Sequence, residues 1–167
     1  MVAHVAAIIK RICGVTSVGV VPSCFEQLGE LHVGDIARAC ALEVDEVAVP
    51  WGEAHDPAVV ASALAAGAYH AVTVVHSETS TGVLNDLPAI SSVVAQHADT
   101  LLLVDSVTGC GGAELLTDAW ALDFVLTGSQ KALALPPGLS FAVASEAMME
   151  RSASITGKGQ YFDLVAF

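Results

Sequence analysis

An α/β fold, with helices on both faces of a mainly parallel β-sheet, is predicted by three features of this sequence. From about residue 44 onward, short β-branched runs alternate with helical stretches, which is the signature of βαβ units. Proline opens the two helical stretches between the strands, once directly after an aspartate, and both residue types favour a helix start. Hydrophobic residues fill 54% of 167 positions, enough for one core-rich domain with a three-layer αβα architecture.

The strand and helix signals justify each element in turn. VDEVAV (44–49) reads as a strand. Asp56 then offers an N-cap with Pro57 at the first helical position, and the Ala-rich VVASALAA continues as a helix to Gly67, a residue that stops helices readily. AVTVVH (71–76) is the next strand. Pro88 opens a helix over roughly 88–98, with Ile90, Val93, Val94 and His97 on one face at three- and four-residue spacing. TLLLVD (100–105) reads as a buried strand, and DFVLTGS (123–129) and LSFAVAS (139–145) as two more, joined by the loop QKALALPPG. EAMMERSA begins a further helix. The first 35 residues show weak periodicity and scattered glycine, and they stay unassigned.

Charge and cysteine usage narrow the function. Six Lys plus Arg against eighteen Asp plus Glu give a net charge of −12, which repels a nucleic-acid backbone. No apolar run reaches the ~18 residues of a membrane helix, so neither nucleic acid nor membrane is an expected partner. Cys13, Cys24, Cys40 and Cys110 form no C-x-x-C pair, the spacing that a zinc or redox site commonly uses. Lys10 and Arg11 follow the apolar N-terminal stretch instead of preceding it, the reverse of a secretory signal, and a cytoplasmic location is expected.

In an open α/β sheet, ligands sit beyond the carboxyl ends of the strands. Three such ends are rich in chemistry. One strand runs into His76-Ser77-Glu78-Thr79-Ser80-Thr81-Gly82, another into Asp105-Ser106-Val107-Thr108-Gly109-Cys110-Gly111-Gly112, and a third into Gly128-Ser129-Gln130-Lys131. A carboxylate, several hydroxyl and amide donors and a lysine at one sheet edge are the equipment that pyridoxal 5'-phosphate (PLP) requires. A lysine amine attacks the cofactor aldehyde to form an imine, and partial burial would favour its reactive form; Lys131 is the candidate. A carboxylate against the pyridine nitrogen keeps that nitrogen protonated, a role that Asp105 fits. Freed by an incoming substrate amine, the lysine is also the natural general base. His76-x-Glu78 lacks the downstream P-C-x-x-C of a zinc deaminase, and the glycines of 109–112 lack dinucleotide spacing. Trp51 and Trp120 are expected in core or interface packing.

HSETSTGVLNDLP, LLLVDSVTGCGG and DFVLTGSQKALALPPG, in that order and spacing, resemble the alanine–glyoxylate and serine–pyruvate branch of the class V aminotransferases, from about Ile36 to Phe167. The resemblance implies a PLP-dependent transferase-like large domain. In it Lys131 is the Schiff-base lysine and Asp105 the partner of the ring nitrogen. Val107 packs on one ring face, Thr79 hydrogen-bonds near the phenolic oxygen, and Gln130 lies near the phosphate. It further implies transamination between a small amino acid (alanine or serine) and a 2-oxo acid (glyoxylate or pyruvate), in a homodimer. Family members are considerably longer. They carry a glycine- and serine-rich phosphate loop and a ring-stacking aromatic upstream, neither recognisable in residues 1–35, and a smaller C-terminal domain with an arginine for the substrate carboxylate. Residues 1–35 are therefore expected to be an unassigned or divergent segment, and 36–167 a partial large domain with the small domain absent. A truncated non-catalytic fragment, or another class V activity such as a lyase or desulfurase, is the alternative.

Overall fold

The computed structural model describes residues 17–20, 33–39, 41–156 and 163–165. Its elements run β1 (Ser17–Val20), α1 (Val33–Ala39), β2 (Glu43–Glu46), α2 (Pro57–Ala66), β3 (Ala71–Val75), α3 (Leu87–Val94), β4 (Leu101–Asp105), β5 (Phe124–Gly128), β6 (Ser140–Ala144) and α4 (Glu146–Ser154). The strands form one six-stranded sheet in the order β2-β1-β3-β4-β5-β6. All neighbours pair parallel except β5 and β6, so the mainly parallel α/β architecture expected from the sequence is present.

Helix starts follow the local chemistry. Asp56 accepts a hydrogen bond from Ala58 N–H at 2.8 Å, with Pro57 at the head of α2, and Asp86 accepts from Ala89 N–H at 3.0 Å to cap α3. The second helix therefore starts at Leu87, one residue before the expected Pro88. It also ends earlier than residue 98. After Val94 the amides of Gln96 and His97 bond to carbonyls three residues back, Val93 and Val94, and the tighter turns leave the α-helical ladder. Ser145 caps α4 by accepting from Met148 N–H at 3.1 Å.

The core lies between α2, α3 and one face of the sheet. Val72, Val74, Leu102, Val104 and Val125 pack there with Val60 and Leu64 of α2 and Leu87, Ile90 and Val94 of α3. Each fully buried aliphatic side chain contributes about 1.5–3 kcal/mol. The opposite face of the same strands is buried too, at Ala71, Leu101, Leu103 and Phe124, as a sheet covered on both faces requires. That double burial explains why these strands read as continuous apolar runs rather than alternating ones. Trp120 packs against the core, one of the two placements expected for it, and Trp51 is 53% exposed in the single chain.

Two features depart from the sequence-based expectation. Ser17–Val20, within the segment left unassigned, forms β1 between β2 and β3. The strand expected over 44–49 runs instead over Glu43–Glu46, with Glu46 paired to Val20. The two sheet edges also differ. β2 carries Glu43, Asp45 and Glu46, with Arg38 bridging to Glu46 at 3.0 Å, whereas β6 exposes Phe141 and Val143 and has no charged residue.

Candidate active site

Parallel pairing of β3, β4 and β5 brings three loops to one end of the sheet. Val75 is in register with Asp105, and Asp105 with Leu126. The ladder runs on past the strands: His76 N–H donates to Asp105 C=O at 2.8 Å and Ser106 N–H to Leu126 C=O at 2.9 Å. The loops after these strands, 76–83, 105–113 and 129–139, therefore begin side by side.

Contacts between the loops join the segments that carry the predicted residues. The Thr79 and Thr108 hydroxyls lie 2.6 Å apart, joining the first loop to the second. Deeper down, His76 Nδ1 meets Ser106 Oγ at 2.9 Å, both residues being buried. The second loop touches the third through its glycines. A Cβ on Gly111 would come within 2.9 Å of a Leu133 methyl, and one on Gly112 within 3.1 Å of the Ala132 Cβ. Gly111 also has φ +87°, a conformation that side-chain-bearing residues rarely adopt. Asp105 and Lys131 are thus carried on loops in direct contact.

Ser129 governs the shape of the loop holding Lys131. Fully buried, it donates its N–H to Leu139 C=O at 3.0 Å and its hydroxyl to Pro136 C=O at 2.7 Å, and its carbonyl accepts from Leu135 N–H at 3.0 Å. Lys131 C=O accepts from Ala134 N–H at 2.9 Å, closing a turn at the tip. Lys131 itself is exposed, not partly buried as the sequence-based reading expects, because it occupies this turn. Gln130 folds its side chain back over Gly128, where an added Cβ would lie 2.7 Å from Oε1.

Asp105 ends β4, and its Oδ1 accepts from Val107 N–H at 3.0 Å. Burial holds its carboxyl above the usual carboxylate range, and the nearby Glu78 adds to the effect. Neither ion pair among the described residues involves Asp105; both are made by Arg38. A desolvated carboxylate with one backbone donor suits a cationic partner such as a protonated ring nitrogen. Val107 is buried beside it. Glu78 is also buried and accepts from the N–H and hydroxyl of Ser80, each at 3.0 Å. The donor set of Asp105, Thr79, Thr108, Gln130 and Lys131 fits PLP. No group of His, Cys, Asp and Glu among the described residues is arranged to hold a metal ion, and no helix there is long and apolar enough to cross a membrane.

Ser106, Thr108 and Ser129 stand in the sequence only as members of the strand-end runs, with no individual role. Their hydroxyls differ in no visible way from ordinary turn residues, and only the register of the strands brings them to the site.

Comparisons with known proteins identify the family of the chain. The family model "Aminotransferase class-V" matches residues 29–167. The soluble hydrogenase 42 kDa subunit of Anabaena cylindrica is 40% identical over 83% of this chain and 37% of its own length. The serine–glyoxylate aminotransferase of Arabidopsis thaliana is 38% identical over 77% of this chain and 33% of its own. Among solved structures, the ureidoglycine–glyoxylate aminotransferase of Bacillus subtilis superposes with a TM-score of 0.84 at 28% identity, covering 98% of this chain and 42% of that one. The chain thus spans about a third of the length of these curated relatives, 37% and 33%. It belongs to the class V aminotransferase family.

Proposed function

We propose that this chain carries the cofactor-binding part of a PLP-dependent aminotransferase. The enzyme would move an amino group between a small amino acid, alanine or serine, and a 2-oxo acid, glyoxylate or pyruvate. The observation that carries the proposal is the contact between the loop holding Lys131 and the loop holding Asp105 at adjacent strand ends. Relatives named as serine–glyoxylate, alanine–glyoxylate and L-aspartate–glyoxylate aminotransferases, at 38%, 40% and 35% identity, support glyoxylate as the acceptor. On the same reading the protein works as a homodimer in the cytoplasm.

When bound, PLP supplies an electron sink for the α-carbon of an amino acid. Each residue has a definite task around it. Asp105 would hold a protonated ring nitrogen through a carboxylate whose desolvation the positive charge relieves. Val107, buried beside Asp105, would offer the ring an apolar surface that excludes water. The Thr79 and Thr108 hydroxyls, already paired, orient the polar edge of the ligand. Gln130 would contribute an amide near the phosphate. Lys131 Nζ would hold the cofactor through its aldehyde carbon, and as a free amine it would serve as the general base for the substrate α-proton.

The direct test is glycine formation from glyoxylate with L-alanine or L-serine, in the presence of PLP. Glycine that appears with the wild-type chain and not with Lys131→Ala supports the proposal. A role as a partner subunit without turnover is favoured by two relatives named as soluble hydrogenase subunits, at 40% and 38% identity; it predicts no glycine from either protein.

A further inference from the structure

We infer that His76 is a positioning residue: its ring is the platform on which the loop carrying Asp105, Val107 and Thr108 is built. Three contacts converge on it. His76 Nδ1 is 2.9 Å from Ser106 Oγ. Its backbone N–H donates to Asp105 C=O at 2.8 Å. The backbone of Gly109 lies against the ring, so closely that a Cβ there would sit 2.3 Å from Nδ1 and 2.8 Å from Cγ. Ser106 is fully buried and His76 nearly so, and the bond between them is therefore not shared with bulk water.

The loop above the ring is short and internally bonded. Cys110 N–H donates to Ser106 C=O at 2.9 Å, Ala113 N–H to Gly109 C=O at 2.8 Å, and Val107 N–H to Asp105 Oδ1 at 3.0 Å. Ser106 and Gly109 bracket Val107 and Thr108, and both ends of that bracket rest on the imidazole. Moving the ring therefore moves the carboxylate of Asp105 and the hydroxyl of Thr108 together. Burial also lowers the imidazole pKa, which favours the neutral ring, and a neutral ring holds Ser106 without placing a charge beside Asp105. His76 lies below the loop and acts on a ligand only through these residues. What this says about the cofactor rests on the PLP reading; what it says about the loop rests on the geometry alone.

The test uses His76→Leu, His76→Asn and Ser106→Ala in the full chain. An Asn amide reaches about where Nδ1 stands and restores the bond to Ser106 Oγ, whereas Leu fills space without it. Hydrogen exchange at the Val107 and Cys110 amides, measured without cofactor, reads the loop directly. Apparent PLP affinity, from the visible absorbance titration, reads its consequence. Expected are faster exchange at both amides in His76→Leu and Ser106→Ala, near wild-type exchange in His76→Asn, and affinity losses on the order of tenfold that follow the same pattern, as for other groups that orient a ligand-contacting residue. Should His76→Leu fail to fold, Ser106→Ala removes the same bond with a smaller change. Unaltered exchange at Val107 and Cys110 in the bond-deleting variants, or a His76→Asn variant no better than His76→Leu, overturns the inference. If the wild-type chain takes up no PLP while the exchange pattern holds, the cofactor reading fails and the positioning role stands.

Discussion

Replacing Asp105 by Asn separates folding from function at a single atom. In the cofactor-free protein the carboxyl is held above its ordinary value of 3.8 by burial first, with the repulsion of Glu78 added. A raised carboxyl pKa means that the folded state binds its proton more tightly than the unfolded chain. The group's stabilising contribution is therefore complete below pH 3.8 and is lost as the pH rises through the folded-state value. At neutral pH the ionised side chain costs stability. Asn keeps the oxygen that accepts Val107 N–H at 3.0 Å, so that hydrogen bond survives while the charge and its repulsion disappear. Asp105→Asn is expected to raise cofactor-free stability by about 1 kcal/mol at neutral pH, the range in which relief of a functional constraint falls. The gain should shrink on acidification. PLP binding should suffer in the opposite sense, because a charge-assisted hydrogen bond of about 1.5–3 kcal/mol is lost, roughly 10- to 150-fold in affinity. Urea unfolding without cofactor at several pH values, and absorbance titration with PLP, measure the two halves. A destabilised Asp105→Asn protein, or one that binds PLP as tightly as wild type, would refute this account of the site.

Three further outcomes are expected. Burial holds the His76 pKa below its ordinary 6.5. Its contribution is thus present above pH 6.5 and is lost as the pH falls below that value towards the folded-state one; urea midpoints taken between about pH 7 and pH 5 should decline less in His76→Asn than in wild type. Gly109→Ala places a methyl 2.3 Å from His76 Nδ1 and should cost about 1–3 kcal/mol by overpacking, read as a lower melting temperature. Phe141→Lys puts a charge on the β6 edge, where Phe141 and Val143 are about half exposed. Edge strands of this kind favour intermolecular pairing, so the variant should show less concentration-dependent association by light scattering, and an unchanged scattering profile would show that this edge is not the adhesive one.

The legible parts of the fold are those with strong local signals. Asp56-Pro57 and Asp86 begin helices because their side chains meet amides two or three residues ahead, which is a property of neighbouring residues. The strands at 71–75, 101–105 and 124–128 are apolar on both faces, and they stand out as continuous runs. Ser17–Val20 has neither signal: it has four residues, one of them glycine, and its identity as a strand comes from pairing on both sides with β2 and β3. Asp105 and Lys131 could be picked out because few residue types perform their chemistry. Ser106, Thr108 and Ser129 could not, since their roles depend on which loop lies opposite. The exposure of Lys131 is likewise invisible in the sequence, because the turn around it is set by hydrogen bonds between Ser129 and Leu135, Pro136 and Leu139.

The central claim is that Lys131 and Asp105 form one cofactor site. Its most direct test is to mix the chain with PLP, reduce with borohydride, and map the labelled peptide alongside Lys131→Ala and Asp105→Asn controls. The account predicts a pyridoxyl group on Lys131, absent in Lys131→Ala and strongly diminished in Asp105→Asn at limiting PLP. Label spread over other amines, or equal labelling of Lys131 with and without the Asp105 carboxylate, would contradict it.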